Sequence, residues 1–250
     1  MEAHKTGTAG ENGLKPKEQH VHSVFERIAG QYDRMNDILS FRRHKAWRLF
    51  AMKKMAIPAG ASAADICCGT CDWSIALAEA NGGGPVVGLD FSEGMLEVGR
   101  RKLEERQLQD RVELVHGNAM SLPFADKSFD YVTIGFGLRN LPDPAAALKE
   151  MARVAKPGGM VVCLELSKPT VQPFKGIYYF YFRRMLPLLG KWFASSYEQY
   201  KWLPESLAMF PDRKGLENMF REAGLNRVES FPLTGGIAAL HIGFKENGNG

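Results

Sequence analysis

Asp65-Ile-Cys-Cys-Gly-Thr-Cys-Asp-Trp73 decides how this chain folds. A short apolar strand, Ala63–Cys67, runs into a loop with one glycine, and a helix begins at Asp72. Two further strand ends follow the same plan. Val86-Val-Gly-Leu closes on Asp90, and Val112-Glu-Leu-Val-His-Gly leads into Asn118-Ala119. Polar strand ends in this order predict one ligand site at the carboxyl edge of a parallel sheet.

The alternation continues downstream. The helix Asp72–Ala80 stops at Asn81-Gly-Gly-Gly84, and Ser92 is placed to cap a helix reaching about Gln107. Phe129–Phe136 reads as a fourth strand. Pro144–Val154 reads as a helix closing at Lys156-Pro-Gly-Gly159, before a fifth strand at Met160–Leu166. Strands alternating with helices predict a doubly wound, Rossmann-like α/β sheet. A helix over Asp212–Ala223 precedes two strands, Arg227–Leu233 and Ile237–Phe244, joined by Thr234-Gly-Gly236. That hairpin predicts a seven-stranded sheet with one antiparallel member.

Two segments stand outside this rhythm. Residues 17–56 read as an amino-terminal cap of two helices, with Tyr32-Asp-Arg-Met-Asn36 as a polar break. Residues 170–205 form an aromatic insert: 11 of the chain's 26 aromatics fall between Phe174 and Trp202. Residues 1–16 and 246–250 are expected to be disordered tails around a single domain, 17–245.

Composition excludes several classes. The 250 residues are 45% hydrophobic and 24% charged, which suits a soluble globular domain. A net charge of +4 without a long basic block does not suggest a nucleic-acid partner. Met1–Gly13 does not read as a signal peptide, and the cysteines, Cys67, Cys68, Cys71 and Cys163, predict a reduced, cytoplasmic chain. Cys68-Gly-Thr-Cys71 has metal-ligand spacing, but no second pair is spaced to complete a zinc site, and none is expected.

The strand ends suit S-adenosylmethionine. Gly69 permits close backbone approach at a helix amino terminus, and Thr70 adds a hydroxyl for the amino-acid carboxylate. Asp65 is placed to receive the ammonium. Asp90, about 20 residues beyond the glycine loop, suits the ribose hydroxyls. Asn118 faces the adenine edge, with the small Ala119 leaving room for the ring. A nicotinamide-dinucleotide site would want G-x-G-x-x-G, which Cys67-Cys-Gly-Thr-Cys-Asp lacks.

From Val21 to Phe244 the chain resembles the quinone C-methyltransferases, the demethylmenaquinone/2-polyprenylbenzoquinol methyltransferase family. The resemblance rests on Tyr32-Asp33-x-Met35-Asn36, Trp47, Cys68-Gly69-Thr70, Gly88-Leu-Asp-Phe-Ser92, Gly117-Asn-Ala119 and Leu122-Pro-Phe124. Thr133-Ile-Gly-Phe-Gly-Leu-Arg-Asn140 is its most distinctive string, and Lys156-Pro-Gly-Gly159 and Tyr200-x-Trp-Leu-x-Glu-Ser206 complete it. It implies a class I methyltransferase fold and methyl transfer from S-adenosylmethionine to a ring carbon of a prenylated quinol, with Thr70, Asp90, Asn118 and Ala119 at the cofactor. The wording of the motifs is most similar to the menaquinone branch. Cys67 and Cys71 stand where the general methyltransferase pattern has glycine, which predicts looser cofactor binding. Some members carry serine where Gly135 stands.

Ring methylation needs an ionised quinol hydroxyl and an in-line approach. Arg139 is expected to hold the phenolate and Asn140 to orient the quinol oxygen, with an ion pair from Arg139 to Asp143 as the structural alternative. Tyr32, Asp33 and His44 are secondary candidates, His44 being read as part of a solvated helix face. The aromatic insert is expected to receive the prenyl tail as a lid, with transient association at the inner face of the cell membrane. The resemblance also allows a homodimer. Methylation of a benzoquinol or another phenolic compound, and a non-catalytic quinone-binding protein on this fold, remain alternatives.

Overall fold

A computed structural model describes residues 23–169, 172–173, 175–176 and 197–247, the side chains of 197–202 excepted. The amino-terminal tail and most of the aromatic insert lie outside the described residues.

The sheet has seven strands: β1 (Ala63–Ile66), β2 (Val86–Asp90), β3 (Val112–His116), β4 (Phe129–Gly135), β5 (Ala155–Leu166), β6 (Leu225–Leu233) and β7 (Ala238–Lys245). Their order is β3-β2-β1-β4-β5-β7-β6. The first five are parallel, and β7 runs antiparallel between β5 and β6. Strand order reverses between β1 and β4, where ligands of open α/β sheets bind.

Strands covered on both faces read as nearly continuous apolar runs. All four residues of β1 are buried. On one face Leu148 and Met151 of α6 (Pro144–Val154) pack with Phe220 of α8 (Arg213–Glu222). On the other, Trp47, Ala51 and Met55 of α3 (Arg43–Met55) pack with Trp73 and Leu77 of α4 (Asp72–Ala80). Helix α7 (Tyr197–Met209) precedes α8 and contains Pro204.

Helix starts follow local chemistry. In α5 (Glu93–Glu105) the Ser92 side chain accepts from Met95 N at 3.2 Å. In α6 Asp143 accepts from Ala146 N at 3.0 Å, with Pro144 in the first turn. Lys156-Pro-Gly-Gly159 is not a break before β5. The strand already starts at Ala155, and a register shift between Phe129 and Tyr131 of its partner takes up the extra residues. Proline and glycine are tolerated there because a bulge forgoes regular ladder bonds.

The cap also departs from expectation. Helix α1 occupies residues 23–28, Ala29–Gln31 is a 3-10 turn, and α2 is Tyr32–Leu39. The expected polar break therefore lies inside a helix. Asp33 is used across the fold, bonding to Thr70 and Lys102, and Tyr32 bonds to Asn36 one turn on. The turn falls instead at Phe41 and Arg42, both with positive φ.

Glu26 of α1 fastens the cap. Its carboxylate accepts from Ser92 Oγ at 2.7 Å and from Gly94 N at 3.1 Å, at the positive end of α5. Glu26→Ala should lower stability by about 1–2 kcal/mol. It should also speed limited proteolysis within residues 23–45. Wild-type melting temperature and cleavage rate would show that the cap is held elsewhere.

Candidate active site

The cavity at the switch point has two chambers sharing Phe25, Tyr32, Cys67, Gly69, Gly135 and Phe136. The smaller, about 110 Å³, is bordered by Asp90, Asn118, Ala119 and Asn140. The larger, about 300 Å³, reaches Thr70, Arg139, His44 and Asp65.

Asp90 links the strand ends. Its Oδ2 accepts from Gly69 N at 2.8 Å and its Oδ1 from Ser92 N at 2.9 Å. Burial still outweighs these bonds and holds its pKa above the ordinary value. With the Phe91 backbone as a third donor, the carboxylate keeps acceptor capacity for a ribose hydroxyl. Asn118 Oδ1 accepts from Met120 N at 2.9 Å, fixing the turn that brings Ala119 to the wall.

Asp65 is 1% exposed. It accepts from Ser74 Oγ at 2.8 Å and Thr133 Oγ1 at 2.9 Å, yet burial raises its pKa to about 6. A buried acid on a cavity wall calls for a cation. Thr70 is engaged differently from expectation. Its hydroxyl donates to Asp33 Oδ1 at 2.6 Å and accepts from Lys102 Nζ at 3.2 Å. Lys102 also pairs with Asp33 at 2.8 Å and closely with Asp72, which Arg48 meets at 2.9 Å. Burial alone would raise Asp72, but the Arg48 and Lys102 charges overcome it and hold Asp72 at about 2.

The loop cysteines adopt the backbone expected to demand glycine. Cys67 and Cys71 have φ of 55° and 65°, each costing about 1 kcal/mol. A glycine on a neighbouring element makes room for each thiol. A Cβ on Gly137 would lie 2.5 Å from Cys67 Cβ, one on Gly88 3.1 Å from Cys68 Sγ, and one on Gly99 2.3 Å from Cys71 Sγ. Burial pushes the Cys67 thiol up, and contact with Cys71 together with burial does the same for Cys68, so both stay protonated.

Arg139 and Asn140 follow β4 as expected but face different chambers. Arg139 pairs with Glu165, not with Asp143: Nη1 lies 2.8 Å from Glu165 Oε1 and also meets Phe136 O. Asp143 is occupied as the cap of α6. Arg139 Nε is buried without a hydrogen-bond partner among the described residues. Asn140 borders the smaller chamber, and its Nδ2 donates to Phe136 O at 3.2 Å.

His44 is not on a solvated face. It is 5% exposed, borders the larger chamber, and places Nδ1 2.6 Å from Ser40 Oγ. Burial and then the Arg48 charge lower its pKa. Sequence reasoning missed Glu165, whose signal was only a polar residue near the end of an apolar strand. Lys102 looked like any helix surface lysine.

The fold, the carboxylate at the second strand end and the two-chambered cavity define a class I S-adenosylmethionine-dependent methyltransferase. The ubiE/COQ5 methyltransferase family matches residues 14–245, and the chain belongs to it. It is 60% identical over 230 residues to the demethylmenaquinone methyltransferase of Geobacillus kaustophilus, covering 92% of this chain and 98% of that protein. The protein of that name from Anoxybacillus flavithermus is 59% identical over 233 residues, with 93% and 98% covered. Among solved structures, the complex between the Haloferax volcanii Trm112 methyltransferase activator and the putative methyltransferase matches with a TM-score of 0.68 at 22% identity, covering 89% of this chain and 98% of that one. A putative methyltransferase from Bacillus halodurans matches at 0.60 and 20%, covering 80% and 99%. These two show the fold alone.

Two outcomes follow. Gly99→Ala should destabilise by about 1 kcal/mol, its overpacking cost partly offset by helix propensity. In a Cys71→Gly background the same change should stabilise by about 1 kcal/mol. Additivity in denaturant unfolding would rule out the contact. Asp65 has a raised folded pKa, so stability falls as pH rises from about 4 to 6 and is level above. Asp65→Asn should therefore raise the melting temperature more at pH 7.5 than at pH 4.5, while weakening cofactor binding. An equal shift at both pH values would contradict a buried, ionising Asp65.

Proposed function

We propose that this chain transfers a methyl group to a ring carbon of demethylmenaquinol, giving menaquinol. The observation that carries this reading is its near full-length identity to proteins named demethylmenaquinone methyltransferase. A larger chamber lined mostly by apolar and aromatic groups supports it.

Bound S-adenosylmethionine supplies an electrophilic methyl group on a sulfonium. Asp90 would hold the ribose hydroxyls, Asn118 and Ala119 the adenine edge, Gly69 and Thr70 the amino-acid end, and Asp65 its ammonium. Tyr32, shared by both chambers, screens their junction from water. Its phenol is held un-ionised by burial.

Arg139 handles the quinol oxygen. Glu165 and Phe136 O hold Nη1, which leaves the Nε edge of the guanidinium without a protein acceptor among the described residues. A phenolate accepting from that edge is stabilised as its charge develops, and electron density moves to the ortho carbon. Asn140 braces the turn through Phe136 O from the smaller chamber. Among the described residues no helix is long and apolar enough to cross a membrane. We infer that a chain acting on a prenylated quinol works transiently at the inner face of the cell membrane, as a monomer or homodimer.

The test is methyl transfer from labelled S-adenosylmethionine to chemically reduced demethylmenaquinol, with the product located by NMR. A new carbon-bound ring methyl is expected. Cofactor binding without product would rule out this substrate. Arg139→Gln alone would strand Glu165, so the Arg139→Gln/Glu165→Gln pair is the sounder probe. It should cut kcat by about 10²–10³ with cofactor affinity within threefold. Near-normal turnover would remove Arg139 from the chemistry.

A further inference from the structure

We propose that the outward face of α3, with Phe41 just before it, docks on an anionic lipid bilayer and so opens the larger chamber towards the membrane. The proposal rests on the quinol reading, since a prenyl tail partitions into lipid.

Phe41, Lys45, Leu49 and Lys53 recur at every fourth position, and all are exposed. Phe41 and Leu49 are each 69% exposed. The opposite face of α3 is the packed one, burying His44, Trp47, Ala51 and Met55. Spacing of four keeps Lys45, Leu49 and Lys53 on one side of the helix, and Phe41 lies in the turn just before it.

Charge selects the partner. Helix α3 holds Arg43, Lys45, Arg48, Lys53 and Lys54 and no acid. Arg48 is committed to Asp72, and Lys54 lies 4.3 Å over the Phe231 ring. Asp37 of α2 pairs with Arg42 and Lys45. Arg43 and Lys53 have no carboxylate partner among the described residues. Exposed apolar side chains beside cations, of which Arg43 and Lys53 are not neutralised, match the boundary between acyl chains and anionic headgroups. Lysine stems can lie along the apolar layer while their ammonium groups stay with the phosphates.

The face is continuous with the cavity. Phe41 borders the larger chamber together with Leu39 and Ser40, although most of its ring is exposed. A bilayer against α3 would therefore meet the cavity mouth, and a long apolar tail could stay in lipid while its ring enters the chamber.

The test is co-sedimentation of the full chain with vesicles of phosphatidylglycerol and phosphatidylcholine, and of phosphatidylcholine alone. Wild type should bind the anionic vesicles preferentially. Each cation near such a surface contributes about fivefold, so Arg43→Glu/Lys53→Glu should weaken binding more than tenfold. Leu49→Asn should weaken it several-fold. Both variants should methylate a tail-free quinol in solution at the wild-type rate and lose activity on the long-tailed quinol in vesicles. If they bind anionic vesicles as tightly as wild type, α3 is not the docking face, although membrane association stands. If wild type binds neither vesicle, membrane docking itself is overturned. If it instead dimerises in solution and these variants abolish the dimer, the face joins two copies of the chain. Wild type that methylates neither quinol would defeat the substrate reading, a result separable from vesicle binding.

Discussion

The hydrogen bond from Gly69 N to Asp90 Oδ2, 2.8 Å long and half-buried, is the constraint on which the site depends. It pins the β1–α4 loop against the end of β2, so that the two chambers share one wall. The geometry needs the loop backbone very close to its neighbours. Other methyltransferase loops achieve this with glycine inside the loop. Here the loop carries cysteines in left-handed conformations, and Gly88, Gly99 and Gly137 on the surrounding elements make the room. Steric freedom has moved from the loop to the surfaces it meets, so the cysteines need not loosen the site.

A second layer of charge closes the cap over that loop. Asp33 of α2 receives the Thr70 hydroxyl and pairs with Lys102 of α5, which also meets Asp72 at the start of α4. Arg48 of α3 reaches the same Asp72. Cations from two helices distant in sequence thus converge on one carboxylate, whose low pKa reflects them. Glu26 provides an independent tie at the head of α5. The Tyr32-Asp33-x-Met35-Asn36 string is therefore a clasp. Tyr32 faces the cavity, and Asp33 locks the loop.

Much of this was legible in order along the chain. Strand ends at Asp65, Asp90 and Asn118, the cap at Ser92 and the closing hairpin are local signals: apolar periodicity, a capping residue, paired glycines. Errors came where a residue's partner is remote. His44 sits among Arg42, Arg43 and Lys45, and nothing local tells that its ring turns inward while theirs turn out. Arg139 has Asp143 four residues away, but Glu165 on the adjacent strand is the acid that meets it. The expected break at Tyr32–Asn36 failed where Asp33 has tertiary partners in Thr70 and Lys102.

By itself the sequence determined the element order, the parallel sheet with its antiparallel hairpin, and the identity of the carboxylates at the strand ends. Those follow from periodicity and turn chemistry, which act over a few residues. Only the tertiary structure decided which hydroxyls and acids are occupied, which chamber Arg139 and Asn140 each face, and how the cysteines fit. Those depend on burial and on distances across elements, and a raised pKa at Asp65 or a lowered one at His44 exists only once water has been excluded from both.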